Sequence, residues 1–168
     1  MQELSPIFEL AAITVSEIMD FFELFEQSEF KPIIYKDKLI QLGDELPCPP
    51  IKEFTITFES VSSEWQQGII LASKGAHFQL NRRIEKLNSI FFWHGEVPSE
   101  NTLKILKAGK KPLSIWNMWR IDNGPTQYGH NGAAMHVQIL ANGRRYHCND
   151  GYPDEDFDDL IFRVTWIS

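Results

Sequence analysis

Base is scarce in this sequence, cysteine is nearly absent, and no apolar run approaches the length of a membrane span. Sixteen Lys and Arg stand against 23 Asp and Glu over 168 residues, a formal charge of −7, and the pI is near 5.2. A generic phosphate-backbone binder needs a basic stripe to displace counterions, so no nucleic-acid partner is expected. A basic protein partner suits this charge better. Cys48 and Cys148 are the only cysteines, stand far apart and form no CxxC, so their spacing leaves open whether they pair. The opening MQELSPIFEL carries acid where a secretory leader carries base. These absences lead us to expect a soluble protein of a reducing, bacterial cytoplasm, with no membrane partner. GxSxG, the P-loop, a GxGxxG opening a helix after a strand, and HExxH are all missing, which removes several common enzyme classes.

What is present is the material of a core. Apolar residues make up 43% and aromatics 12%, without repeats or low-complexity tracts, which fits one ordinary domain. The segment TVSEIMDFFELFEQSE, Thr14 to Glu29, spaces Val15, Ile18, Met19, Phe22 and Phe25 helically, and Thr14 with Glu17 fits a capping box. Its aromatic stripe reads as core, or less often as a docking face. After Pro32 the pattern turns strand-like, in IIYKDKLIQL and then FTITF. Between them LGDELPCPP is the best loop, placing any boundary of an N-terminal helical subregion, 1–46, at the Pro-rich link 47–50. GIILA, AHFQL and SIFFW read as short strands, and ENTLKILKAGKK as a strand forming a hairpin with LSIWNMW.

Asn142-Gly143 between AMHVQIL and RRYHC signals a type I′ turn, because both central residues of such a turn need positive φ. That turn would pair Ile139 with Tyr146, Gln138 with His147 and Val137 with Cys148. A last strand runs from Leu160 to Ile167, with Leu160, Phe162, Val164 and Trp166 on one face. Many short strands, one N-terminal amphipathic helix and no βαβ alternation predict an α+β fold, mainly antiparallel β, as a sandwich or strongly curved sheet, with a barrel as runner-up.

The hairpin sorts the chemistry into faces. Met135, Val137, Ile139, Tyr146 and Cys148 share one, so Cys148 is expected to be a buried, inert thiol. His136, Gln138, Leu140, Arg145, His147 and Asn149 share the other. With His130 and Asp150 nearby, His130, His136 and His147 are candidate metal ligands, and His136, His147 and Asp150 candidate acid–base groups; the plainer alternative is a solvated polar face. Six acidic residues lie between Asp150 and Asp159 without a base among them. They fail the EF-hand spacing from either Asp150 or Asp154, leaving an irregular calcium site or simple capping, with Asn149 or Asp150 closing an Asx-turn. Trp65, Trp93, Trp116 and Trp119 read as core or as a stacking platform, and Glu64, Glu96 and Glu100 are scattered.

WN-x-W, NGAAM and RRYHCNDG with its acid-rich DDL, together with GIILASKGAHFQLN and FFWHGEVP, resemble a group of small uncharacterised bacterial proteins. The resemblance covers about the last hundred residues, implies one sandwich-like domain and carries no catalytic residue. In class, though not in sequence, a small acidic cytoplasmic protein is similar to the immunity proteins that neutralise bacterial toxins. The leading expectation is therefore an inhibitor, leaning away from an enzyme, that binds a basic toxin domain through Asp154, Glu155, Asp156, Asp158 and Asp159, without a cofactor. The alternative is a metal-dependent enzyme, or a calcium-containing carbohydrate-binding β-sandwich, using calcium or zinc near His130, His136, His147 and Asp150. Oligomeric state is open, including a site that forms only between copies.

Overall fold

In the computed structural model, residues 21–85, 88–152 and 154–167 are described. Helix α1 is seen over Phe21–Gln27, so the expected capping box at Thr14 and Glu17 lies outside the described residues. Its Phe21, Leu24 and Phe25 are buried. No helix among the described residues is long and apolar enough to cross a membrane.

Among the described residues thirteen strands follow: β1 Ile33–Tyr35, β2 Lys38–Gln41, β3 Asp44–Leu46, β4 Glu53–Val61, β5 Gln66–Ala72, β6 His77–Leu80 and β7 Arg83–Glu85. Then come β8 Ser89–Trp93, β9 Glu100–Lys107, β10 Leu113–Arg120, β11 Ala134–Leu140, β12 Gly143–Asn149 and β13 Leu160–Thr165. All the pairings between them are antiparallel. They form two sheets, in the orders β1-β2-β11-β12-β13-β4-β9-β6-β7 and β3-β10-β5-β8. Period-two burial explains the layering: Phe54, Ile56 and Phe58 of the larger sheet meet Ile69, Leu71, Ile90, Phe92 and Ile115 of the smaller one in a single apolar cluster. This is a sandwich, not the barrel kept as runner-up. The 47–50 link joins β3 of the smaller sheet to β4 of the larger, while β1 and β2 reach the larger sheet through β11.

Two expected hairpins come out differently. β9 pairs with β4 and β6, whereas β10 pairs with β5 and β3, so the Gly109 link crosses between sheets instead of closing a hairpin. The crossing lets Leu103 and Ile105 face Leu113 and Ile115 across the core. The β11–β12 hairpin does form, but its register joins Leu140 to Gly143, Gln138 to Arg145, Val137 to Tyr146 and His136 to His147. The turn is therefore Ala141-Asn142, and neither Asn142 nor Gly143 has positive φ. Gly143 serves another purpose: a Cβ there would collide with the Val164 carbonyl on β13. The paired positive φ of a type I′ turn occurs instead at Lys36 and Asp37, 46° and 65°, between β1 and β2. Because the register differs by two residues, each side chain keeps its expected face. Met135, Tyr146 and Cys148 point into the sandwich.

On the opposite face, Ala134 of β11 and Ile40 of β2 join Ile33, Tyr35 and Phe157 beneath Phe21, Leu24 and Phe25 of α1. Phe21, Leu24 and Phe25 thus seal a second, smaller core, whereas Phe22 of the expected stripe is only half-buried and Val15, Ile18 and Met19 lie outside the described residues.

Candidate functional site

The chain between β12 and β13 is knitted to its surroundings before it offers any charge to solvent. Asn149, wholly buried, donates from Nδ2 to the Asp154 carbonyl at 3.1 Å and accepts at Oδ1 from Phe157 N–H at 2.7 Å. Its own carbonyl accepts from Asn117 Nδ2 of β10 at 2.8 Å. Asp150, also wholly buried, accepts at Oδ2 from Ser63 Oγ at 2.8 Å and Gln67 Nε2 at 2.9 Å, and at Oδ1 from Tyr152 N–H at 2.9 Å. The last bond is the Asx-turn expected from the sequence. Gly151 lies on the Trp119 indole so closely that a Cβ would come within 2.6 Å of Cζ2. Phe157 takes a left-handed φ of 54° and tucks its ring against Phe21, centroids 5.8 Å apart.

This folding turns much of the acidic run inward. Carboxylate oxygens of Asp154, Asp156 and Asp159 all lie within 4.8 Å of one another. Asp159 Oδ2 accepts from Asp150 N–H at 2.9 Å, while Asp154 Oδ1 and Asp158 Oδ1 are buried without a donor. Burial, reinforced by the neighbouring negative charges, pushes the Asp159 carboxyl up to about 8 and Asp154 up to about 6. Burial and Asp156 raise Asp158 as well. Among the described residues, the largest influences on these three groups are burial and neighbouring carboxylates, not Lys or Arg. Of the bases near the segment, Lys36 is held by Glu155, which also accepts from Tyr35 Oη at 2.8 Å, and Lys38 lies over the Phe157 ring at 5.6 Å.

Beside the carboxylates opens a cleft of about 350 Å³ lined by Ser62, Ser63, Glu64, Trp65, Tyr152, Asp154 and Asp159. Trp65 and Tyr152 meet edge to face at 6.0 Å and 78°. An all-oxygen set selects hard cations, and calcium with its bonds of about 2.3–2.6 Å lets two ligand oxygens stand up to about 5 Å apart. Magnesium keeps several waters and is seldom held by an all-protein cage, and zinc prefers nitrogen or sulfur.

The histidine candidates fall elsewhere. His136 and His147 face each other at 5.9 Å on the outer side of the larger sheet; His136 Nδ1 lies 3.2 Å from the Leu39 carbonyl and His147 Nε2 lies 3.3 Å from Gln138 Oε1. Burial, then the positive charges of His136 and Arg145, lowers the His147 pKa. His130 packs on Trp119 at 5.3 Å. Among the described residues no histidine joins a group of three ligand atoms. The expected His130, His136, His147 and Asp150 centre is therefore not assembled, because the histidines occupy separate contacts and Asp150 is committed to three hydrogen bonds. Both cysteines are free, and burial holds the Cys148 thiol well above its usual range. Of the acidic five, Asp156 is exposed, Asp154, Glu155 and Asp158 are half-buried and Asp159 is buried. Trp119 is core, whereas Trp65 keeps partial exposure in the cleft. Ser63 and Gln67 carried no sequence signal, since their partner Asp150 is 87 and 83 residues away.

No family model matches this chain, and no curated protein does. Among solved structures, the Chromobacterium violaceum lectin CV2L in complex with alpha-methyl-fucoside aligns at a TM-score of 0.33 and 15% identity, over 76% of this chain and 97% of the lectin. A likeness of that size carries no weight for ligand or mechanism.

Proposed function

We propose that this chain is a calcium-dependent glycan-binding module, with the ion held by Asp154, Asp156 and Asp159 and the sugar seated against Trp65 and Tyr152. One observation carries the reading: three carboxylates converge within 4.8 Å on the edge of an aromatic cleft. Such a group is strained by its own repulsion until a proton or a cation enters. Calcium takes six to eight oxygens, and three aspartates binding through one oxygen each leave positions for water and for vicinal sugar hydroxyls. The half-exposed rings suit the apolar face of a pyranose, and Ser62, Ser63 and Glu64 suit its hydroxyl edge.

The inhibitor reading asks these acids to meet a basic protein. Glu155 is engaged by Tyr35 and Lys36, and Asp159 is only 3% exposed, so the segment offers a partner less charge than its sequence promises. Calorimetric titration of chelator-stripped protein with calcium chloride at pH 8 decides between the two. A stoichiometric site that Asp156→Asn weakens supports the proposal. No heat and no thermal stabilisation, alongside tight and salt-sensitive binding of a basic toxin domain, would replace it with inhibition.

A further inference from the structure

A second aromatic cleft lies on the outer face of the smaller sheet, and its lining shares no residue with the acidic one. Register builds it. Directly paired residues share a face, so Trp116, Ile70 and Phe91 form one row across β10, β5 and β8, with Ser114, Ala72 and Ser89 in the next. Ala72 is the small member, and a trough of about 370 Å³ opens above it. Tyr128 stacks beside Trp116, centroids 6.3 Å apart and planes within 19°, so two rings present nearly parallel faces. Gly43 fixes the indole, because a Cβ there would collide with Trp116 Nε1. Phe91 and Tyr128 are each 51% exposed, far more than apolar rings in a finished core.

The polar groups are gathered at one end: Lys74, Asn88 and Ser89 border the trough, and Asn88 Oδ1 is fixed by Gly75 N–H at 3.1 Å. A ligand that fits has a flat apolar face, one edge of hydroxyl oxygens and the volume of one or two small rings. That describes a neutral pyranose within an oligosaccharide. We infer that the Trp116, Tyr128 and Phe91 cleft is a second glycan subsite, one that needs no cation. It does not rest on the calcium proposal, since none of the aspartates at the β12–β13 loop lines it.

The test is run in EDTA, which silences the acidic site. Cellotetraose, maltotetraose and mannotetraose are titrated into the full chain, with calorimetry and tryptophan fluorescence as readouts. At least one is expected to bind saturably, with Tyr128→Ala and Phe91→Ala each weakening it by about fivefold, unchanged melting temperatures, and no effect of Trp65→Ala. Absence of saturable binding by all three sugars would overturn the inference. So would affinity indifferent to both substitutions, loss on Trp65→Ala, or a concentration-dependent dimer that Phe91→Ala abolishes, which would assign the face to self-association.

Discussion

The acidic loop and the histidine face are both polar clusters at one end of β12, yet their groups are in opposite condition. His136 and His147 sit on an open sheet surface, each within reach of a carbonyl oxygen. Asp154, Asp158 and Asp159 are folded inward beside one another, with two carboxylate oxygens left buried and undonated. The contrast separates polarity from readiness. A satisfied group on a wet surface has nothing to gain from a ligand, whereas desolvated like charges gain by neutralisation.

The harshest way to break this contrast is to remove the support of the loop. Asp150→Ala leaves Ser63, Gln67 and Tyr152 N–H without their acceptor, and a loss of about 3–5 kcal/mol is expected in urea denaturation. Occupancy comes next. At a calcium concentration about a hundredfold above its Kd, wild type should gain about 2.7 kcal/mol, a rise of about 5–10 °C in melting temperature for a domain of this size. His136→Ala with His147→Ala should leave that rise intact; its loss in the double variant would return the metal to the histidines.

The pH response sharpens the comparison further. Asp159 and Asp154 have folded pKa values raised to about 8 and about 6, above their unfolded values, so the native state holds more protons than the unfolded state between pH 4 and 8. Metal-free stability should therefore fall as pH rises through that window, and calcium affinity should rise as the carboxyls are freed. Asp159→Asn should flatten the melting-temperature profile and abolish most calcium binding. His147 has the opposite sign. Its folded pKa is lowered, so its small contribution is present above the unfolded value and lost as pH falls through the folded one. Smallest of all, His147→Ala alone should change stability by no more than about 0.5 kcal/mol.

How far the sequence foretold this depends on the range of each contact. Alternation located most strands, and a register error of two residues left Cys148 in the core and the histidines outside, because a strand's faces repeat every second residue. The Asx-turn at Asp150 was legible because donor and acceptor are two residues apart. The assignment of β9 and β10 to different sheets was not, since Leu103, Ile105, Leu113 and Ile115 alternate equally well in a hairpin or across a core. The inward turn of the carboxylates was hidden for a similar reason. It depends on Gln67 and Ser63 from distant β5 and its approach, and on a positive φ at Phe157, a residue type that does not advertise one.

Those same distant partners give the loop a mechanical role. Asn117 and Gln67 belong to the smaller sheet, while Asn149 and the Asp150 that follows it continue from the larger, so two hydrogen bonds join the sheets here, as Tyr146 and Arg144 do elsewhere through Asp44 of β3. Sheets that meet only through apolar side chains can slide and breathe; here they are clasped. An ion that quiets the repulsion in the 150–159 segment would tighten that clasp, slowing amide exchange in β5, β10 and β12 together, so the sandwich would register an occupied site as stiffness.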